Sequence, residues 1–242
     1  MRYAVFSDVH SNWEALESVL AYLEKLKYDK LVFLGDFVGY GANPNECLSL
    51  LREIVDHAVL GNHDFAILNL EEARYFNPYA REAIIWTKSV LHRDHLEYLR
   101  SLSLIKEIEG DIIVVHSTPI KPERWEYLLS VNEAILQFSK FEKKIALFGH
   151  SHIPGAFIST GESVEVALGK ELVIKEDFQY LINPGSVGQP RNLDARASFG
   201  ILDTDEGIFE WHRVEYDIRK AQEKIIKAGL PLFLAERLSR GV

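Results

Sequence analysis

The 242-residue chain is poor in cysteine and in positive charge. Its single cysteine, Cys47, excludes a disulfide within the chain, so a reducing compartment fits. Lys and Arg total 27 against 36 Asp and Glu, a formal net charge of −9, which gives no support to a broad nucleic-acid-binding surface. Any anionic ligand would therefore need a local source of positive charge, and a bound metal ion is one such source.

Long apolar runs are also absent. No stretch approaches the roughly 18 apolar residues of a membrane-spanning helix, and the apolar run at residues 3–6 is too short for a signal peptide. We therefore expect a cytoplasmic protein that does not bind membranes. Apolar residues make up 47% of the chain and charged residues 26%, as in a globular protein with a core.

Strand-like and helix-like patterns alternate through the first 150 residues. Strands are predicted at residues 3–6, 31–34, 58–60, 112–115 and 145–148. Helices are predicted at residues 12–27, from Pro44, at 65–102 with a break at Pro78, and at 131–138. After residue 152, six short alternating segments predict antiparallel strands, and residues 217–240 predict helix interrupted at 229–231. Without a linker or repeat, residues 1–242 are expected to form one α/β domain with two sheets.

Polar clusters follow the five clearest strands of the α/β part, at their carboxyl ends. The clusters are Asp8-Val9-His10, Asp36, Asn62-His63-Asp64, His116 and His150-Ser151-His152. Because ligands bind at the carboxyl ends of strands in open α/β sheets, we expect these side chains to converge on one crevice. Five of the nine histidines lie in these clusters, which makes chance placement a weak explanation.

The clusters offer carboxylate, amide and imidazole ligands, which suit Mn, Fe, Zn, Ni or Mg better than soft metals. Two carboxylates and four imidazoles are more donors than one metal needs, so we expect a pair of divalent cations bridged by a carboxylate. Such a pair holds the attacking and leaving oxygens of a displacement and lowers the pKa of bound water from about 15.7 to about 7. The expected chemistry is hydrolysis by a metal-activated water, with Mn as the foremost candidate.

The same clusters resemble those of the calcineurin-like metallophosphoesterases, in the family's order, over about residues 1–200. The residues 38–41 (Val-Gly-Tyr-Gly) and 183–191 (Asn-Pro-Gly-Ser-Val-Gly-Gln-Pro-Arg) resemble more narrowly its small prokaryotic branch of phosphodiesterases and diadenosine tetraphosphatase-like enzymes. The resemblance implies a four-layer sandwich, in which helices flank two mixed β-sheets. A helical insert at about residues 65–102 and C-terminal helices would complete this α/β fold.

The resemblance also implies individual roles. One metal would be held by Asp8, His10 and His152, the other by Asn62, His116 and His150, with Asp36 bridging them. His63 would contact phosphate and protonate the leaving group, together with Asn62 as a substrate contact. For Asp64, orienting His63 and capping a helix are both open, and Arg191 is either a cation near the site or a surface residue beside a turn.

The residues Gly39 and Tyr40 depart from one branch of the superfamily. Protein Ser/Thr phosphatases carry Asp-Arg there, so we expect a small substrate, nucleotide-like, with a phosphodiester, phosphoanhydride or phosphomonoester bond. One alternative is nevertheless a Ser/Thr-type protein phosphatase. Another is a non-catalytic protein-interaction module, as in a retromer subunit of this fold, but such a module would be expected to lose His63 or a metal ligand.

The predicted insert is rich in aromatic residues, which are Phe65, Tyr75, Phe76, Tyr79, Trp86 and Tyr98. Because it directly follows His63-Asp64, we expect it to overhang the site. Its rings could stack a nucleobase, cover a homodimer interface or simply pack the helices, and these alternatives stay open. Within the insert, His92 and His95 are interpreted as part of a solvated helix face.

Overall fold

The computed structural model describes residues 1–242, which form two six-stranded sheets. The strands are β1 Arg2–Phe6, β2 Lys30–Phe33, β3 His57–Ala58, β4 Ile105–Ile108, β5 Ile112–Val115, β6 Ile145–Leu147, β7 Gly155–Ser159, β8 Val164–Ala167, β9 Glu171–Val173, β10 Gln179–Asn183, β11 Ala197–Asp203 and β12 Ile208–Val214. The first sheet has the order β3-β2-β1-β11-β12-β9 and the second β4-β5-β6-β10-β7-β8. Both are mixed, since β1 and β10 each have one parallel and one antiparallel neighbour.

Eight α-helices cover the sheets. They are α1 Trp13–Leu23, α2 Pro44–Ile54, α3 Asn62–Leu68, α4 Pro78–Val90, α5 Arg93–Ser101, α6 Val131–Phe138, α7 Ile218–Lys227 and α8 Leu232–Glu236. Short 3₁₀ segments occupy Leu70–Tyr75, Pro122–Arg124 and Arg237–Arg240. Local sequence sets several of these ends. Pro44 opens α2, and Ser130 forms a capping box with Glu133 before α6. No helix combines the length and the apolarity that crossing a bilayer requires.

The two faces of each central strand serve two different cores. In β1, Ala4 and Phe6 pack against the helices, whereas Tyr3 and Val5 face the second sheet. This follows from the two-residue period of a strand, which sends successive side chains to opposite faces. A further core lies between the second sheet and α6. The layers are thus helices, sheet, sheet and helix, and the four-layer α/β sandwich is confirmed.

The C-terminal helices pack beside the strand ends of the first sheet. A cluster of buried residues joins α4, α7 and α8 to Tyr40, in the loop that follows β2. The helix α7 also contacts α1, because the carboxylate of Glu14, which is 3% exposed, lies 2.6 Å from Nζ of Lys224. These contacts bring residues near position 240 to the same edge as the polar clusters.

Several elements differ from the sequence prediction. The insert is not helical throughout, because α3, a 3₁₀ segment, α4 and α5 follow one another with breaks between them. The strand β4 was not predicted, since it is an edge strand with a largely exposed surface that pairs only with β5. The strand β3 is shorter than predicted and ends at Ala58. The N–H of Val59 still donates to the carbonyl of Phe33 in β2, and the N–H of Leu60 donates to the carbonyl of Ser103. His95 is not solvated: it is 2% exposed and lies 3.1 Å from the Ser49 hydroxyl.

Strands after residue 152 do not form a sheet of their own. The strands β9, β11 and β12 extend the first sheet from β1, whereas β7, β8 and β10 extend the second from β6. The two halves of the chain are therefore interleaved. This interleaving brings the loop after β10 next to the loop after β1, where the N–H of Gly188 donates to the carbonyl of Asp8.

Candidate metal centre

The predicted ligand residues meet at the carboxyl edge of the strands. They follow β1, β2, β3, β5 and β6, and none is more than 9% exposed. The residues are Asp8, His10, Asp36, Asn62, His116, His150 and His152. Buried carboxylates and imidazoles at this density require compensating partners, because burying an unpaired polar or charged group is costly.

Five of these seven residues have left-handed backbone conformations. Their φ angles are 54° for Asp8, 48° for His10, 61° for Asp36, 64° for His150 and 60° for His152. Such conformations are uncommon outside glycine and cluster at functional sites, where the surrounding structure holds them. Here the loops hold each other: the N–H of His10 donates to the carbonyl of Asp36. The strained turns direct the side chains into one crevice.

Two groups of donor atoms form within that crevice, and both include Asp36. The first comprises Asp8, His10, Asp36 and His152, with ligand atoms within 4.8 Å of one another. The second comprises Asp36, His116 and His150. The Asp36 Oδ2 atom lies 3.4 Å from Nε2 of His10 and 3.3 Å from Nε2 of His116. Asn62 joins the second group, since its Oδ1 atom lies 3.0 Å from Nε2 of His116.

The outer nitrogens of three histidines establish which atoms face inward. Nδ1 of His10, His116 and His152 lies 3.0, 2.7 and 2.6 Å from a backbone carbonyl oxygen. A carbonyl only accepts, so each Nδ1 carries the proton, and Nε2 of the neutral ring presents a lone pair. Backbone carbonyls in this position also orient metal-binding histidines in other proteins.

The imidazole and carboxylate atoms that face the crevice lack donor or cationic partners. Nε2 of His10 and Nε2 of His152 are 3.2 Å apart, so in the neutral rings two lone pairs face each other. The buried Oδ1 atom of Asp8 has no hydrogen-bond partner. Cations in this position would turn these repulsive or unsatisfied contacts into attractive ones. The residues present therefore fit divalent cations.

Asp36 is fixed at the centre by its neighbours. The N–H of His63 donates to Asp36 Oδ1 at 2.9 Å, which leaves Oδ2 for the two imidazoles. Gly61 makes room for the carboxylate, because a Cβ atom there would lie 2.1 Å from Oδ1 of Asp36. The position of Asp36 thus depends on Gly61, which ends the loop between β3 and α3.

Asp64 binds backbone rather than His63. Its carboxylate accepts from the N–H groups of Asp36 at 2.9 Å and Gly61 at 3.1 Å, and from those of Phe37 and Val38 at 3.3 Å. These bonds join the loops after β2 and β3 and cap α3. Burial and the nearby Asp36 carboxylate raise the pKa of Asp64 to about 7, although the hydrogen bonds from these N–H groups act to lower it. The geometry favours the capping role.

His63 lies beside the donor groups, among aromatic rings. It is 3% exposed, and its ring centroid is 4.4 Å from that of Tyr40, 4.7 Å from His10 and 4.9 Å from Phe76. Its Nδ1 atom has no hydrogen-bond partner. A Cβ atom at Gly39, whose φ is 94°, would lie 2.4 Å from that Nδ1. The site therefore has no room for a carboxylate side chain at position 39.

A sequence profile of the calcineurin-like phosphoesterase superfamily domain matches residues 1–207. The chain belongs to that superfamily. It is 45% identical to an uncharacterised protein of Methanocaldococcus jannaschii over 98% of this chain and 97% of the relative. A crystal structure of a metallophosphoesterase from Sphaerobacter thermophilus is similar at 39% identity and a TM-score of 0.87, covering 100% of this chain and 99% of that one. The fold of a Pyrococcus horikoshii protein is similar at 20% identity, with a TM-score of 0.82 over 100% and 98% of the chains.

The charge state of the candidate metal centre is set by burial and by the two carboxylates. Burial opposes charge on His116, but the Asp36 carboxylate prevails and raises the pKa of His116 to about 9. Burial lowers the pKa of His63 to about 4 and that of His150 to about 3. The carboxylates of Asp8 and Asp36 keep pKa values below their usual range, against burial, because imidazoles surround them. The centre is therefore able to attract cations.

A cavity of about 410 Å³ opens beside the candidate metal centre. Asn62, His63 and His150 line it, together with aromatic residues from the insert and from the loop after β5. These aromatic residues are Phe65, Tyr75, Phe76, Trp125 and Tyr127. The insert thus overhangs the site as expected, and Tyr127 stacks on His150 with ring centroids 4.2 Å apart.

Half of the aromatic residues named in the predicted insert line the cavity: Phe65, Tyr75 and Phe76 do, whereas Tyr79, Trp86 and Tyr98 do not. Tyr79 stacks on Phe233 of α8 with ring centroids 4.8 Å apart, and Trp86 packs against the C-terminal helices. Neither lines the cavity. Trp125 and Tyr127 were missed, although both follow His116 in the loop after a strand. Extending the strand-end rule along that loop would have included them.

Arg191 lies near the site rather than on an isolated turn. Its guanidinium donates to Oε1 of Gln189 at 2.8 and 3.2 Å and lies 3.4 Å from the Tyr40 hydroxyl. Its backbone N–H donates to the carbonyl of His152 at 3.2 Å. Arg191 also contributes to the lowered pKa values of His63 and His152, after burial. The positive charge of this residue is therefore directed toward the centre.

Proposed function

We propose that the protein is a metal-dependent hydrolase of phosphodiester, phosphoanhydride or phosphomonoester bonds in small substrates. The observation that carries the proposal is the pair of buried donor groups that share Asp36. Membership of the calcineurin-like phosphoesterase superfamily supports the same reaction class. A single cation would leave several buried donors without a partner, whereas two would engage both groups.

The residues divide into two candidate sites. Asp8, His10 and His152 would hold one divalent cation, Asn62, His116 and His150 the other, and Asp36 would serve both. Two bound cations, of which Mn is the first candidate, would supply Lewis-acid activation of a water nucleophile and neutralise phosphate charge. The hydrogen bonds at Nδ1 of His10, His116 and His152 keep these rings in the tautomer that binding needs.

His63 is the proposed proton donor to the leaving group, with Asn62 and Arg191 as substrate contacts. Its pKa of about 4 means that the ring is neutral at pH 7 in the free site. An anionic phosphoester bound beside it would raise that pKa, because opposite charges favour the protonated form. The His63 ring lines the cavity, so the leaving group of a bound substrate would lie within its reach.

A small substrate suits the cavity better than a phosphoprotein. A volume of about 410 Å³ lies in the range of small-molecule sites. Its aromatic wall offers flat surfaces for a nucleobase. Protein phosphatases pair their catalytic histidine with an aspartate at the position of Gly39. That aspartate is absent here, and a Cβ atom at position 39 would lie 2.4 Å from Nδ1 of His63. We propose that the whole chain, residues 1–242, acts as one domain in this reaction.

The test compares metal content with turnover. Protein stripped by a chelator should lose hydrolysis of bis-p-nitrophenyl phosphate, and Mn should restore it as elemental analysis reaches two ions per chain. A panel with a nucleotide diester, a dinucleoside polyphosphate and a phosphoserine peptide then defines the substrate class. Full activity without metal would refute the metal mechanism. A protein loaded with two ions that hydrolyses nothing in the panel would favour the non-catalytic module.

A further inference from the structure

The motif at residues 38–41, Val-Gly-Tyr-Gly, forms the loop after β2 and lies against the candidate metal centre. The carbonyl of Val38 lies 3.0 Å from Nδ1 of His10, and the N–H of Gly41 donates to the carbonyl of His10 at 3.0 Å. A Cβ atom at Gly41 would lie 2.4 Å from that carbonyl oxygen, so only glycine allows this approach. Tyr40 has a left-handed φ of 57°. The loop is thus anchored on a candidate ligand, and its strained backbone carries the Tyr40 ring.

The ring of His63, the proposed proton donor, has no hydrogen bond at its buried nitrogen. The Nδ1 atom lacks a partner, and the carboxylate of the neighbouring Asp64 is engaged by backbone N–H groups instead. In other enzymes a hydrogen bond at this nitrogen holds a catalytic imidazole in its working orientation. The orientation of the His63 ring therefore depends on contacts of another kind.

Two aromatic rings from separate parts of the chain pack on His63. The Tyr40 ring lies 4.4 Å from the His63 ring between centroids, at an interplanar angle of 54°. The Phe76 ring, which follows the 3₁₀ segment of the insert, lies 4.9 Å away and meets it edge to face at 82°. Tilted and edge-to-face contacts at these distances favour particular ring orientations. All three rings line the cavity, and because Nδ1 is buried, Nε2 is the His63 nitrogen available to a bound substrate.

The Tyr40 ring is itself held by its neighbours. The residue is 6% exposed and belongs to the buried cluster that includes residues of α4, α7 and α8. Nη2 of Arg191 donates to the Tyr40 hydroxyl at 3.4 Å, and the Arg237 guanidinium lies 5.9 Å from the ring centroid. Both C-terminal helices lie beyond residues 1–207, the part that matches the superfamily profile. Packing from outside that part thus reaches His63 through Tyr40.

We propose that Tyr40, together with Phe76, positions the His63 ring for proton donation to the leaving group. Tyr40 is a positioning residue, because it contacts the histidine and does not carry the transferred proton. Without the Tyr40 ring, His63 would adopt other rotamers, and a general acid is effective only while its nitrogen is within hydrogen-bond reach of the leaving oxygen. The inference rests on the proposed phosphoesterase function and adds a residue to its machinery.

The experiment compares two diesters that differ in their leaving group, a glycerophosphodiester with an alkoxide and bis-p-nitrophenyl phosphate with p-nitrophenolate. In metal-loaded Tyr40→Leu, the ratio of kcat for the alkoxide diester to kcat for the nitrophenyl diester should fall about tenfold, part of the contribution of a positioned general acid. Tyr40→Phe keeps the ring and should retain the wild-type ratio.

Controls separate this effect from damage to the metal centre or the fold. The Tyr40 ring also lies 4.6 Å from that of His10, so elemental analysis must show two ions per chain in each variant. KM should be unchanged, because the ring orients the proton donor rather than the substrate. Tyr98→Leu is the matched control, since Tyr98 is a half-buried tyrosine of the insert that packs on Phe37 outside the cavity. It should leave the ratio unchanged.

A double-mutant cycle shows whether Tyr40 acts through His63. In a protein that already carries His63→Gln, Tyr40→Leu should not lower the ratio further, because residues that act as one unit are not additive. A further decrease would overturn the proposal, as would a wild-type ratio in a Tyr40→Leu protein that binds both ions. If Tyr40→Leu does not fold, Phe76→Leu replaces it: a lowered ratio supports the proposal and an unchanged ratio overturns it.

Crystal structures separate the positioning role from the function on which it rests. The His63 ring should occupy more than one rotamer in Tyr40→Leu and a single one in the wild type and in Tyr40→Phe. A single, unchanged rotamer in Tyr40→Leu would overturn the inference while the phosphoesterase stands. If the wild type hydrolyses neither diester, the proposed function fails, and the rotamers still decide whether Tyr40 positions His63.

Discussion

Two cavities of similar size lie at opposite ends of the same strands. The cavity beside the candidate metal centre, about 410 Å³, lies at the carboxyl ends of β5 and β6. The other, about 380 Å³, lies at their amino ends and is lined by Tyr3, Ile112 and Ile145 among others. Their size therefore does not distinguish them, and the difference lies in how their polar groups are paired.

The cavity at the amino ends has its charges matched. Glu109 lies 2.5 Å from Nζ of Lys30 and accepts from the Tyr3 hydroxyl at 3.3 Å. Asp203 pairs with Arg2 at 3.2 Å. Among its lining residues only Gly110 and Gly207 have positive φ, so no side-chain-bearing residue is strained. These contacts pair most of the charged groups around this cavity, Lys144 and Glu206 excepted.

The candidate metal centre, at the carboxyl ends of the strands, shows the reverse. Nε2 atoms of His10 and His152 face each other, and Oδ1 of Asp8 and Nδ1 of His63 lack hydrogen-bond partners. Unmatched donors and strained backbone thus distinguish the edge that carries the candidate metal centre from the opposite edge of the sheets.

The largest effect is expected for Asp36→Ala, compared with Asp203→Ala at the other end. Loss of Asp36 removes the carboxylate shared by both donor groups, so both ions should be lost and turnover should fall by about 10³-fold or more. Asp203→Ala should keep metal content and turnover. Elemental analysis and bis-p-nitrophenyl phosphate assays measure both. An Asp36→Ala protein with two ions per chain and normal turnover would exclude the shared role.

His63→Gln should separate chemistry from metal binding. The variant should keep its ions and lose roughly 10²–10⁴ in rate, the usual contribution of a positioned general acid. The loss should be smaller for p-nitrophenolate than for an alkoxide leaving group, which needs protonation more. The control is His95→Gln, another buried histidine, which should leave turnover unchanged. Equal losses for the two leaving groups would argue against proton donation.

Two exposed tyrosines of the insert test the aromatic wall. Tyr75 lines the cavity and is 70% exposed, whereas Tyr79 lies outside it and is 46% exposed. Tyr75→Ala should raise the KM of a nucleotide substrate by about fivefold or more, since stacking on a base contributes about 1–3 kcal/mol. Tyr79→Ala should not change it. If steady-state kinetics show the same KM for both variants, the wall does not bind a base.

The smallest effect concerns protonation of the metal-free centre. The pKa of His116 is raised to about 9 in the folded protein, above the usual 6.5. Its stabilising contribution is therefore complete below pH 6.5 and is lost as pH rises through 9. The Tm of the metal-free protein should fall over this interval, whereas the metal-loaded protein should not show this loss. Calorimetric titration with Mn at pH 7 should also release protons, and heats independent of the buffer would contradict this.

The ligand positions were predictable because of the geometry of parallel strands. Asp8, Asp36 and His116 each follow a short apolar run, and parallel strands place their carboxyl ends at one edge. The position of Asp64 was predictable, but its bonding was not. Its carboxylate accepts hydrogen bonds from N–H groups of the loops after β2 and β3. Only the structure shows that these N–H groups, and not His63, are the partners of the carboxylate.

The periodicities, the helix caps and the order of the polar clusters follow from the sequence alone, because they depend on neighbours a few residues apart. The choice of aromatic rings that line the cavity depends on packing between distant elements, which turns Tyr79 away from the cavity and Trp125 into it. Such packing likewise brings Arg237 to Tyr40 from the end of the chain. Such contacts arise when distant elements pack together. The period of apolar residues in a sequence shows which face of an element is buried, but not which other element covers that face.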